Sequence, residues 1–88
     1  MPNLEDEQYK MLAHPLRRAL LKEMKNNSRS LAYLAHQTGA SQSRIANHLS
    51  LMKRAEIITI RKEARRRVYA LRKDSLTGIL AFVESLIK

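Results

Sequence analysis

Three residues, Gly39, Ala40 and Ser41, are all that separates two short apolar periodicities, and a connection this short limits the possible folds more than any other feature of the 88-residue chain. Upstream, Leu31, Leu34 and Ala35 recur at helical spacing; downstream, Ile45, Leu49 and Met52 do so, with Ala46 beside them. Ser30 or a neighbour caps the first helix, and Gly39 supplies the turn that stops it after Thr38. Ser41 then opens the second helix by offering its hydroxyl to a backbone N–H near Arg44. Helices joined so tightly cross steeply, and Ala35 is small where they meet. The pattern predicts a helix-turn-helix over about 30–55. The start and outer face of its second helix carry Ser41, Gln42, Ser43, Arg44, Asn47 and His48. A solvated helix face has similar residues, but at the start of a recognition helix these groups reach base edges. Gln and Asn suit adenine, and Arg44 suits guanine or phosphate.

Around this motif the chain predicts a mainly α fold with one small β-hairpin. Leu4, Met11 and Leu12 give a sparse first helix over 4–13. His14-Pro15 restarts the chain, because the residue before proline avoids helical geometry while proline suits a first turn. Leu16, Ala19, Leu20 and Met24 then mark a second helix ending near Lys25 and closed by Asn26-Asn27-Ser28. Beyond the helix-turn-helix, Ile57–Arg61 and Arg67–Leu71 read as two strands of a hairpin over about 57–71, with the polar stretch Lys62–Arg66 between them. Alternation puts Ile58 and Ile60 on one face and Val68 on a matching inward face. Arg61, Lys62, Arg65, Arg66 and Arg67 gather at the tip, five basic groups among seven residues that repel one another unless an anion is near. A helix-turn-helix followed by a basic hairpin is a winged helix. Asp74 or Ser75 caps a last helix over about 74–88. Its stripe of Leu76, Ile79, Leu80, Phe82, Val83, Leu86 and Ile87 is too broad for one small core, which implies a dimer face shared with residues 4–13.

Charge narrows the partner. The net charge is +9, and residues 41–73 carry ten basic and two acidic side chains. That concentration favours a polyanion, either nucleic acid or an anionic membrane. No basic amphipathic helix with bulky aromatics is present to favour the membrane. Three Tyr and one Phe are too few for a single-strand or RNA binder that stacks bases on aromatics. Cysteine is absent, which excludes disulfides, thiolate ligands and thiol sensing. His14, His36 and His48 fall on three different predicted helices without carboxylates at ligand spacing, so no metal is expected. No nucleophile, acid or base converges, so neither catalysis nor a cofactor is expected. The reading is one domain over 1–88, cytoplasmic and beside the nucleoid, with no apolar run long enough for a membrane helix and an acidic start unlike a signal peptide.

Several segments carry a family resemblance. They are Leu12-Ala13-His14-Pro15-Leu16-Arg17-Arg18-Ala19-Leu20-Leu21, then Leu34-Ala35 through Gly39 to Ser41-Gln42-Ser43, Asn47-His48-Leu49 and Glu56-Ile57-Ile58. After them comes Arg61-Lys62-Glu63-Ala64 running into Val68-Tyr69-Ala70-Leu71. In this order the chain resembles an ArsR/SmtB-type winged-helix repressor over roughly 10–72, and more loosely through the last helix. The resemblance implies a homodimer on double-stranded DNA at an imperfect inverted repeat. It does not carry an inducer. The family's thiolate site needs Cys, and its last-helix site needs His, whereas residues 74–88 hold only Asp74 and Glu84 as acids and no His. The wing, with Ala64 where many relatives have Gly, is similar to a branch that lacks metal sites and includes virulence and symbiosis regulators. The expectation is a sequence-specific repressor that binds constitutively or is controlled by abundance, a small molecule or a partner protein. The alternative is a nonspecific architectural or protein-interaction module using the same basic surface.

Overall fold

The computed structural model describes residues 3–88, so the first two positions of the domain expected over 1–88 lie outside the described residues. Asn3 caps helix α1 (Leu4–Leu12) by accepting the Glu5 N–H, and Glu5, Asp6 and Glu7 in its first turn suit the positive end of the helix dipole. Helix α2 (Pro15–Glu23) has Pro15 at its first position, and His14 caps it through Nδ1, which accepts the Leu16 N–H at 3.1 Å. Leu20 and Leu21 are its buried residues, whereas Ala19 is exposed.

The expected helix-turn-helix is present. Ser30 caps α3 (Leu31–Thr38) by accepting the Tyr33 N–H, and Gly39 ends it with φ +73°. Ser41 caps α4 (Gln42–Arg54) by accepting the Arg44 N–H at 3.2 Å. The far end of α4 closes on a Schellman motif: Ile57 N–H donates to the Met52 carbonyl and Glu56 N–H to that of Lys53, with Glu56 at φ +57°. Met52 and Ile57 are both fully buried beside this turn, which sends the chain into the hairpin.

Strands β2 (Ile58–Glu63) and β3 (Arg66–Leu71) pair antiparallel across the two-residue loop Ala64-Arg65, whose first residue has φ +59°. A five-residue tip would set Val68 opposite Ile60. The tighter loop shifts the pairing by one, so Ile60 faces Tyr69 and Val68 faces Arg61. A one-residue shift reverses the face of every side chain. Tyr69 is therefore the inward partner of Ile60, and Val68 is buried on the other face of the sheet, outside the main core cluster.

The other edge of β3 carries a strand that the sequence analysis did not predict. β1 (Arg29–Ser30) pairs with Tyr69 and Val68, making a three-stranded sheet in the order β1-β3-β2. Two residues are too few to show an alternation. Arg29 fixes this strand to its neighbours: its Nε donates to the Glu23 carbonyl at 3.0 Å, and its guanidinium lies 4.4 Å from the centre of the Tyr33 ring.

The last helix is not capped by Asp74 or Ser75. A 3-10 turn, Lys73–Leu76, runs directly into α5 (Thr77–Ile87). Helical geometry has already begun there, so the Thr77 N–H donates to the Asp74 carbonyl and no side chain is needed at the start. The Ser75 hydroxyl instead donates to the Arg72 carbonyl at 2.6 Å. The core gathers Leu20 and Met24 from the second helix and its end, Leu34 from α3, Ile45, Leu49 and Met52 from α4, and Ile57 and Ile58 from the hairpin entry. Burying such side chains stabilises by roughly 1.5–3 kcal/mol each, which locks the helix-turn-helix onto the sheet.

Candidate nucleic-acid interface

Burial of Ile45, Leu49 and Met52 fixes the rotation of α4 about its own axis, and this alone turns Gln42, Ser43, Arg44 and Asn47 to solvent. The Ser41 hydroxyl is engaged at the cap, where it orients the first turn. His48 sits differently. It is half-buried, its ring centre lies 4.7 Å from that of His14, and its Nδ1 is buried without a hydrogen-bond partner. Burial pushes its pKa below the ordinary value, helped by the nearby charges of His14, Arg17 and Arg44. Two histidines expected on separate helices thus meet, His14 as the cap of α2 and His48 on α4, while His36 is exposed on α3. Among the described residues no three His, Cys, Asp or Glu converge as a metal site would require.

On the wing, Arg61, Lys62, Arg65, Arg66 and Arg67 are all exposed, but they are not equivalent. The Arg61 guanidinium donates to the Ser28 hydroxyl at 2.8 Å and pairs with Glu63 at 2.6 Å, so it is held within the protein. Lys62 and Arg67 face each other across the strands, like charges at close range, on the same face as Ile60 and Tyr69. Among the described residues, Lys62, Arg65, Arg66 and Arg67 enter no ion pair.

A groove of about 220 Å³ runs between α4 and the wing, with Ala46, Ser50 and Lys53 on one side and Ile60, Arg67 and Tyr69 on the other. Neither Ser50 nor Lys53 was singled out from the sequence, because the outward residues of α4 were followed only to His48 although the helix was expected to run to about residue 55. The signal was available, since Ala46, Ser50 and Lys53 continue one face at helical spacing.

The apolar stripe of the last helix divides in two. Ile79 is buried within the chain and Leu76 packs half-buried against the core. Leu80, Phe82, Val83, Leu86 and Ile87 remain exposed, Ile87 at 77%. Phe82 meets Tyr9 of α1 edge to face at 5.9 Å, which joins α1 to the same surface. Burial and the adjacent Glu5 and Asp6 carboxylates raise the Tyr9 pKa above the ordinary value. Among the described residues no helix is long and apolar enough to cross a membrane.

Comparison with known proteins places this geometry. The model of a family described as "Bacterial regulatory protein, arsR family" matches residues 14–59, from the cap of α2 into β2. The nodulation protein NolR of Rhizobium meliloti is 27% identical over 75 residues, which are 85% of this chain; the chain spans 62% of that protein's length. The crystal structure of a possible transcriptional regulator for arsenical resistance is 31% identical with a TM-score of 0.81, covering 91% of this chain and 83% of that one. The solution structure of the homodimeric winged helix-turn-helix DNA-binding domain of Mb0332 from Mycobacterium bovis has a TM-score of 0.78 at 20% identity, covering 96% of this chain and 78% of that one. At that identity the likeness is one of fold.

Proposed function

Because this chain belongs to the ArsR family of bacterial regulatory proteins, we propose that it is a sequence-specific DNA-binding regulator that represses transcription from an inverted repeat as a homodimer. One observation carries the reading. A helix whose buried stripe presents Gln42, Ser43, Arg44 and Asn47 outward stands beside a wing whose Lys62, Arg65, Arg66 and Arg67 enter no ion pair. Forked amide and guanidinium groups on a helix suit major-groove base edges, while unpaired cations on a hairpin suit phosphates. Ser41 acts as the cap that holds this turn, His48 as a packing residue behind it, and Lys53 adds a phosphate contact from the groove. The exposed residues of α5, with α1, supply the contact between protomers. Binding, not catalysis, is the activity, exercised in the cytoplasm with no resident cofactor.

The test is selection of duplexes from a random pool at physiological salt. A symmetric motif with two half-sites about one helical turn apart is the expected result. Equal competition by random duplex at every selected site would reject sequence-specific regulation in favour of an architectural role.

A further inference from the structure

Beyond the far end of β3 from the wing loop lies a groove that the DNA-reading surface does not use. Leu21 of α2, Leu71 at the end of β3 and Leu76 at the end of the 3-10 turn form its floor, and Lys22, Lys25 and Lys73 complete the lining around about 400 Å³. Leu21 is buried and the other two leucines are half-buried, while all three lysines are exposed. No carboxylate lines the groove, and none of these lysines enters an ion pair among the described residues. The nearby Asp74 carboxylate lies 3.9 Å from the Arg72 guanidinium.

We propose that this groove binds a small amphipathic anion of the aliphatic carboxylate class, its tail on the three leucines and its carboxylate among the three lysines. The size lies within the range of roughly 300–1,000 Å³ of small-molecule sites, which pair an apolar lining with a few polar groups. Each simpler occupant uses half of the lining. An inorganic anion meets flexible ammonium groups but leaves the leucines wet. A neutral hydrocarbon covers the leucines but leaves the three ammonium groups without a counter-charge. An aliphatic carboxylate satisfies both, since its methylenes leave water against the leucines and its head group carries the charge opposite to that of the three ammonium groups. The exposed apolar side chains of α5 are not part of the groove's lining.

The proposal concerns ligand binding alone and is tested without DNA. Octanoate titrated into the full chain, followed by calorimetry and by methyl NMR, is expected to bind saturably, one molecule per chain, with the largest shifts at Leu21, Leu71 and Leu76. Octanol, and octanoate added to the exposed-site double variant Lys25→Glu/Lys73→Glu, are each expected to bind about fivefold or more weakly, the size of two exposed charge contacts. The variant's unchanged melting curve would show that the loss is not unfolding. Absence of saturation at millimolar octanoate overturns the proposal. So do shifts centred on Leu80, Val83 and Leu86, equal affinity for octanol, or full affinity in a folded variant.

Discussion

At the scale of single residues, the proposed function separates selectivity from grip. Gln42→Ala and Asn47→Ala are expected to narrow the gap between chosen and random duplex, since each good base pairing discriminates by roughly 1–3 kcal/mol. Arg66→Ala is expected to weaken both complexes alike and to flatten the dependence of affinity on salt by about one unit. Equilibrium binding to the two duplexes over a salt series checks both, and a wing mutant that loses only the specific complex would reverse the assignment. His48 gives a pH dependence whose sign is fixed by its environment. Its folded pKa lies below the ordinary 6.5, so the unfolded chain binds more protons in that interval. Its contribution to stability is therefore complete above pH 6.5 and is lost as the pH falls through the folded value. Thermal unfolding between pH 7.5 and pH 5 is expected to fall less steeply in His48→Asn, provided the variant folds. The caps Ser30, Gly39 and Ser41 were legible in the sequence because each acts within a few residues of itself. The contact of His48 with His14 was not, because nothing in the spacing of 34 positions says that two helices bring them together.

At the scale of elements, the same distinction holds. Of the five α-helices among the described residues, four were readable from periodicity and α1 only weakly, and the outward face of α4 followed from its buried one. The register of the hairpin was not, because it depends on whether the five residues 62–66 or only two of them make the turn, and composition favours neither. Ala64 decides it by adopting a left-handed φ of 59° that costs an L residue about 1–2 kcal/mol. Ala64→Gly is accordingly expected to raise stability by up to about 1 kcal/mol, part of the relief being offset by the freer unfolded chain. Ala64→Val, β-branched at the same φ, is expected to lower it by about 1 kcal/mol or more. Urea midpoints measure both, and faster amide exchange along β2 and β3 in the valine variant would locate the effect in the wing. The start of α5 was misread for a related reason, since Asp74 and Ser75 are good caps by type but the chain was already helical when it passed them.

At the scale of the whole molecule, the exposed apolar face of α5 is the surface proposed to join two copies. Leu80→Glu and Val83→Glu place a carboxylate on side chains that are 57% and 43% exposed, so each chain keeps its fold while the contact between copies is lost. Sedimentation is expected to find dimers for the unmodified chain at micromolar concentration and folded monomers for the variants. Affinity for a full inverted repeat should then drop to that for a half-site. An unmodified chain that sediments as a folded monomer would remove the basis for a symmetric operator. The sequence revealed that this stripe was too broad, but which of its residues were already covered depended on how α5 lies against α1 and the core, which periodicity does not encode.

The two-residue strand β1 has a mechanical consequence. Ser30 is at once the cap of α3 and the partner of Val68 on β3, and Arg29 reaches back to the end of α2. The helix-turn-helix and the wing are thereby riveted to one bracket, like the two jaws of a caliper set to a fixed opening. For the DNA binding proposed above, a duplex whose groove width does not match that opening would carry the strain of fitting itself. Base pairs that no side chain touches then acquire a vote in site choice through how readily they bend.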